Sequence, residues 1–333
     1  MKKTSSSLAV LLAILSVFSN KISAQAKTEK SLPSRLESRL SPSLEKLCVP
    51  KNLSALAKCY PSVEFEPSFD IEKMDWKIDL TANIFENRRE EFLETHKNGK
   101  MTATFYWADG RMLPEDELSH KETFWPLQYK YQNNLRAPET YSEEEIARIT
   151  QFGSSSSRRT QGGTPMFFFD FIYSAASQRT IENHIVQTTF LGKRTRVHER
   201  ILPQVKKVEE EILKEAERDE KTKTFVNELK SADAYYWRQI AGTSRKSFHS
   251  YGISIDVLPR RLYGKAIYWS WEKDRRGDKW MLTPLESRWT PGEKVIKIFE
   301  DNGFIWGGNW VIFDNMHFEY HPELTIAAAD GGR

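Results

Sequence analysis

Ser247-Phe248-His249-Ser250-Tyr251-Gly252-Ile253-Ser254-Ile255-Asp256 sets an imidazole and a carboxylate seven residues apart across a glycine. Gly252 permits a bend. Beyond it, Ile253, Ile255 and Val257 alternate with Ser254, Asp256 and Leu258, the pattern of a strand with one face buried. Asp256 therefore points away from the isoleucines and can meet His249 across the turn. About 60 residues on, Asp314-Asn315-Met316-His317-Phe318-Glu319 supplies a second imidazole and a second carboxylate. Together these are the parts of a catalytic zinc site: His249, Asp256 and His317 as ligands, an open position, and Asp314 as a spare acid to move protons. Spacing alone leaves a purely structural role for these histidines open.

The other histidines carry less. His96, His120, His184 and His198 lie outside any such pattern and read as ordinary core or surface residues. His321 stands four residues past His317, but Pro322 and the aromatic surroundings argue against a helical metal pair. His321 is expected beside the site or at the surface. Glu319 alternates with His317 and is placed to support it.

Around these segments the chain reads as mixed helix and strand. Thr290-Pro291-Gly292-Glu293 opens a helix running to Asp301, with Thr290 as N-cap, Pro291 in the first turn and Glu293 completing a capping box. Gly303 fits its stop. Two short strands bracket Gly307-Gly308, the second leading into Asp314 and His317. Upstream, 202–217 is amphipathic and helical, with Val205, Val208, Ile212 and Ala216 on one face. Residues 177–187 read as helix, and the aromatic run 166–173 as a buried strand. Gly153 to Pro165 reads as a flexible loop or domain boundary. Residues 141–152 form a helix capped by Ser142. Residues 60–135 are strand-rich, with a turn at Asp109-Gly110, and 53–58 is a short helix. No internal repeat is evident.

The N-terminus carries a targeting signal. Lys2 and Lys3 precede an apolar run from Leu8 to Phe18, and Ala24-Gln25-Ala26 offers the small residues of a cleavage site. The run is short for a membrane anchor, so export with cleavage is expected, to the periplasm or cell envelope. Cleavage after Ala26 removes three lysines and no acid, taking the formal charge from +3 to zero. The remaining chain lacks the basic excess of a nucleic-acid binder. The two cysteines, Cys48 and Cys59, suit either a disulfide in an exported protein or two buried thiols, and neither has metal-ligand spacing. The expected organisation is a signal peptide over 1–26, an N-terminal region of open role over 27–150, and a catalytic domain over 151–326.

Ser-x-His-x-x-Gly-x-x-x-Asp followed by Asp-x-x-His resembles the zinc peptidases that act on bacterial peptidoglycan. These include the D-Ala-D-Ala dipeptidases and carboxypeptidases of vancomycin resistance and the L-alanyl-D-glutamate endopeptidases of phage endolysins. Ser247, His249, Gly252 and Asp256 match the first motif, and His317 the third ligand. Asp314 before the last ligand and Phe318 after it resemble the L-alanyl-D-glutamate branch, as do Trp306-Gly307-Gly308 with Trp310. Arg238-Gln239-Ile240 resembles that branch's Arg-x-Ile segment. Ser254 departs from the small apolar residue of many relatives.

The resemblance covers roughly residues 233–323. It implies an α+β fold with a small central antiparallel sheet flanked by helices and carrying a zinc site. It further implies Asp314 and Arg238 as catalytic residues, Ser247, Trp306 and Trp310 on the substrate side, and peptidoglycan stem peptides as partners. The leading function is hydrolysis of the L-Ala–D-Glu bond. The alternatives are a D-Ala-D-Ala carboxypeptidase and a non-catalytic zinc protein that recognises wall peptides. A carboxypeptidase needs a cation for the free C-terminal carboxylate, whereas an endopeptidase needs a groove open at both ends.

Overall fold

The computed structural model describes residues 49–83, 100–132 and 135–325. The signal segment 1–26, Cys48 with its possible pairing to Cys59, and His96 lie outside these residues. Helix α1 (Lys51–Cys59) leads into four antiparallel strands, β1 (Val63–Asp70), β2 (Asp75–Asn83), β3 (Lys100–Ala108) and β4 (Arg111–Leu113), in the order β1-β2-β3-β4. Asp109 and Gly110 take φ of +52° and +83°, the left-handed pair that closes a two-residue hairpin. Four short helices follow: α2 (Glu143–Phe152), α3 (Ser155–Thr160), α4 (Phe167–Ile172) and α5 (Gln178–Glu182). A hairpin of β5 (Ile185–Phe190) and β6 (Lys193–His198) precedes α6 (Leu202–Ala216) and α7 (Glu220–Glu228). The chain then enters β7 (Leu229–Asp233) and β8 (Ser254–Pro259), passes through α8 (Trp269–Arg276) and α9 (Glu293–Asp301), and ends with β9 (Phe304–Trp306) and β10 (His317–Tyr320). These last strands form a second antiparallel sheet in the order β7-β8-β10-β9. Mixed helix and antiparallel sheet is the architecture expected from the sequence. Among the described residues, no helix is long and apolar enough to cross a membrane.

The hydrophobic core is continuous from the first region to the second sheet. Leu56, Ile78 and Leu80 belong to the same buried cluster as Phe168 and Phe169 of α4, Val205, Val208 and Ile212 of α6, and Ile253, Ile255 and Phe318 under the second sheet. Phe299 of α9 stacks on Phe318 with ring centroids 3.8 Å apart, and each such side chain stabilises by about 1.5–3 kcal/mol through burial. Two tyrosines add polar ties. The Tyr60 hydroxyl donates to Glu323 Oε2 at 2.6 Å, and the Trp306 N–H donates to Tyr131 Oη at 2.9 Å. The segments before residue 132 therefore buttress the loop and strand that carry Asp314 and His317.

Several elements differ from the expectation. The aromatic run 166–173 is helix α4, because Phe168, Phe169 and Ile172 recur at helical spacing and all three are buried. A short apolar run has no period that excludes either element. The helix expected over 177–187 stops at Glu182. Ile185, Val186, Thr188 and Thr189 are β-branched and instead pair with β6. Within the expected loop 153–165, Ser154 caps the short helix α3. Helix α9 starts at Glu293 after Gly292 at φ +103°, so Thr290 makes no cap. Its hydroxyl instead accepts from the Gly292 N–H at 3.1 Å. Strand β10 begins only at His317, which leaves Asp314 on the loop before it.

Gly252 joins the histidine turn to β8 in the left-handed conformation, φ +64°, and lies against the β5–β6 hairpin. A Cβ there would come 2.8 Å from the His198 backbone nitrogen and 2.6 Å from Ile185 Cδ1. Gly252→Ala is expected to destabilise by roughly 2–4 kcal/mol. A thermal melt should show a fall of about 5–10 °C; an unchanged midpoint would mean that the hairpin does not pack this closely.

Candidate metal centre

The register of two strands creates the site. β10 pairs with β8 so that His317 lies directly opposite Asp256. His249 enters from the 3-10 turn Phe248–Tyr251, whose start is fixed by Ser247: its hydroxyl accepts from the His249 N–H at 3.3 Å. The three side chains that the sequence singled out thus meet, with ligand atoms all within 4.8 Å of one another. His249 and His317 are buried and Asp256 is partly so.

Each imidazole is held in one tautomer. His249 Nδ1 lies 2.5 Å from the Ala234 carbonyl oxygen, so that nitrogen carries the proton. His317 Nε2 lies 2.8 Å from Glu319 Oε1 and donates to it. Burial opposes ionisation of Glu319, but its bonds to His317 and His321 bring its carboxyl down to about 2. The remaining nitrogens, His249 Nε2 and His317 Nδ1, face each other at 3.2 Å. Asp256 Oδ1 lies 2.7 Å from His317 Nδ1, and Oδ2 lies 3.2 Å from His249 Nε2. Two lone pairs and a carboxylate converge on one point, and a cation there relieves their repulsion. Two imidazoles with one carboxylate and a cleft on the open side fit zinc. Without an ion a proton takes the place. Burial opposes charge on His317, but Asp256 and Glu319 outweigh it and hold the imidazole protonated well above its usual range. Asp256 likewise ionises far below the carboxylate range: burial opposes this, and His249 and His317 overcome it.

Asp314 stands beside this cluster on the loop before β10. Its backbone is pinned by Gly307, whose carbonyl accepts the Asp314 N–H at 3.0 Å. A Cβ on Gly307 would lie 2.6 Å from the Asp314 carbonyl oxygen, so the Trp-Gly-Gly sequence permits this close approach. Asp314 Oδ1 is buried with no hydrogen-bond partner in the protein. Burial is the main force raising its carboxyl to about 7; the Asp256 and Glu319 charges add to it, and His317 opposes it. An acid titrating near neutrality beside a metal site is suited to proton transfer.

The other sequence candidates take distinct places. Trp310 packs on His317, with ring centroids 5.6 Å apart. Trp306 is buried and its indole N–H donates to the Asn315 carbonyl oxygen at 2.9 Å, which makes it part of the loop's frame. Ser247 is buried in the histidine turn. Arg238 is exposed and lines the cleft with His249 and Asp256. Its backbone is clamped by Ser250, whose hydroxyl accepts from Arg238 N–H and donates to Arg238 O, both at 2.8 Å.

Of the two places expected for His321, the structure takes the one beside the site: it is buried, its Nε2 lies 3.3 Å from Glu319 Oε2 and its Nδ1 2.8 Å from Glu323 Oε1. Burial opposes its charge, but Glu323 and Glu319 raise its imidazole to about 9. A chain of contacts therefore runs from His317 through Glu319, His321 and Glu323 to Tyr60. The alternation of His317, Glu319, His321 and Glu323 was the available signal. His184 and His198 stack within the core, centroids 5.6 Å apart, and His120 is exposed. Tyr268 was not anticipated either. It bridges backbone to Asp314, and its phenol is raised first by burial and then by the Asp314 charge.

Residues 241–320 match the family described as D-alanyl-D-alanine carboxypeptidase. The matched stretch holds His249, Asp256, Asp314 and His317. It supports zinc-peptidase chemistry for the site. No curated protein and no solved structure matches the chain.

The raised Asp314 carboxyl has a consequence for stability. Between its ordinary value of 3.8 and about 7, the metal-free fold keeps a proton that the unfolded chain has released. Stability contributed by the protonated carboxyl is therefore lost as pH rises through that window. Asp314→Asn cannot titrate. In metal-free protein it should melt several degrees above the parent at pH 8 and close to it at pH 4. An equal difference at both pH values would show that Asp314 ionises normally.

Proposed function

We propose that this chain is an exported zinc peptidase that hydrolyses peptidoglycan stem peptides at the L-Ala–D-Glu bond. The observation that carries the peptidase reading is the pairing of two kinds of site. Three lone-pair donors converge on one cation position, and beside them stands a buried carboxyl with one oxygen left unpartnered, poised near neutrality in the metal-free protein. A structural metal site has no use for the second. His249 Nε2, Asp256 and His317 Nδ1 would hold the ion. When bound, zinc supplies Lewis acidity, which polarises a carbonyl and acidifies water.

The protein's own groups do the rest. Asp314 accepts the proton of the attacking water through Oδ1 and delivers it to the departing amine. Burial favours its protonated form, which helps it take that proton up. Arg238, exposed on the cleft and fixed by Ser250, is placed to steady the developing oxyanion or the substrate carbonyl. Glu319 and Ala234 hold the imidazoles in the tautomers that ligation needs. Asp314 before the last ligand and Phe318 after it support the L-Ala–D-Glu choice.

A second reading is supported by the cleft itself. Arg194, Arg196 and Arg238 all line it, and a D-Ala-D-Ala carboxypeptidase needs a cation for the terminal carboxylate. The matched family's description favours the same reading. Export rests on the N-terminal segment, with Lys2 and Lys3 before the apolar run and Ala24-Gln25-Ala26 after it.

Zinc-loaded protein should cut purified stem pentapeptide to free L-Ala and a tetrapeptide that begins with D-Glu, identified by mass. Release of D-Ala alone would replace the endopeptidase with the carboxypeptidase. Asp314→Ala should keep zinc at one per chain yet lose about 10²–10⁴ in turnover. Loss of zinc from that variant would make Asp314 a ligand and contradict its role as a base.

A further inference from the structure

The cleft opening from His249 and Asp256 has a volume of about 770 Å³ and extends along the β5–β6 hairpin. Its charge is one-sided. Arg194 and Arg196 project from β6, and Arg238 from the chain beyond β7. All three are exposed. Among the described residues, no carboxylate lies within 4.0 Å of any of their guanidinium groups. Outside the metal triad the acid on the cleft wall is Asp233, and its Oδ2 already accepts from the Ser231 hydroxyl at 2.7 Å. Arg196 lies over the Tyr235 ring, 5.1 Å from its centroid, which orients the guanidinium plane without neutralising it. Unpaired arginines on the wall of a cleft that ends at a reacting centre select an anionic ligand.

Strand geometry gives the reach. Asp233 of β7 pairs with Asp256 of β8. Two residues on, the Tyr235 N–H donates to the Arg196 carbonyl oxygen at 2.8 Å. Arg196 thus stands two strands from Asp256, roughly 10 Å at ordinary strand spacing. The second residue of an extended peptide lies about 7 Å from the scissile bond, and a long side chain spans the remainder.

We propose that Arg194 and Arg196 form a subsite for a side-chain carboxylate on the substrate residue second from the scissile bond. The inference rests on the peptidoglycan reading above. In a stem peptide that residue is the third, counted from either cut: it is second after the L-Ala–D-Glu bond and second before the D-Ala–D-Ala bond. Where the third residue is diaminopimelate rather than lysine, it carries one further carboxylate at the end of the same side chain. The subsite selects diaminopimelate. Arg238, next to the histidine turn, is left to the peptide backbone.

The test uses two synthetic pentapeptides, L-Ala-γ-D-Glu-X-D-Ala-D-Ala, with X either meso-diaminopimelate or L-lysine. Their dissociation constants are measured by calorimetry on the zinc-loaded full chain carrying Asp314→Ala, so that neither is consumed. The diaminopimelate peptide should bind at least about tenfold more tightly. Adding Arg194→Gln and Arg196→Gln should bring the two constants within about twofold, with zinc still at one per chain. Equal constants in the parent, no binding of either peptide, or selectivity that survives the double substitution would overturn the subsite. Selective binding by the parent without any turnover by the wild-type chain would overturn the peptidase reading and leave the subsite standing.

Discussion

The antiparallel pairing of β8 with β10 puts Asp256 opposite His317, and the turn before β8 folds His249 onto the same point. Those three groups cannot be left to themselves. The free nitrogens of both imidazoles face each other at 3.2 Å, and their other nitrogens are committed to Ala234 and Glu319. The cluster needs a positive charge at its centre, and a zinc ion would supply it with the donor set present. The surroundings follow from holding this geometry. Gly252 lets the histidine turn close against the β5–β6 hairpin, and the stacked rings of Phe299 and Phe318 fix the far side of β10.

The strands and helix before residue 132 share in that support. Tyr60 ends the polar chain that begins at His317, and Tyr131 fixes the turn that positions Asp314. The outer members of the chain matter because ligand imidazoles are oriented by what their second nitrogen touches. Glu319 meets both His317 and His321, so His321 and Glu323 brace the carboxylate that braces the ligand. Burial of this ionic row is costly unless every member is partnered, and each of the four has a partner at 3.3 Å or closer.

The His249 and Asp256 part of the candidate metal triad was legible because its information is local, whereas His317, 61 positions beyond Asp256, was joined to it through its own motif and the resemblance. A strand's two-residue period dictates which side of β8 carries Asp256, and glycine marks the bend. The antiparallel α+β architecture followed from the resemblance of that same stretch. Less visible was anything depending on long-range packing. Phe167 to Ile172 is aromatic enough for a strand, and only the surrounding core selects a helix. Thr290 and Glu293 carry the letters of a capping box, but Gly292 takes a conformation that places Pro291 outside the helix. The burial of His321 and its pairing with Glu323 and Tyr60 depend on a contact across more than 250 positions, which no local pattern encodes. Arg194 and Arg196 look like the solvated face of a hairpin until the fold brings β6 beside the strand that leads to His249.

The donor set around the cation position is the feature on which the chemistry depends. Zinc K-edge X-ray absorption of the purified, zinc-loaded chain measures it directly. The spectrum should fit two imidazole nitrogens and carboxylate or water oxygen at about 2.0–2.2 Å, with no sulfur. His317→Ala should lose one imidazole's outer-shell scattering. A sulfur ligand, a shell of oxygen alone, or a wild-type spectrum that survives His317→Ala would contradict the site described here.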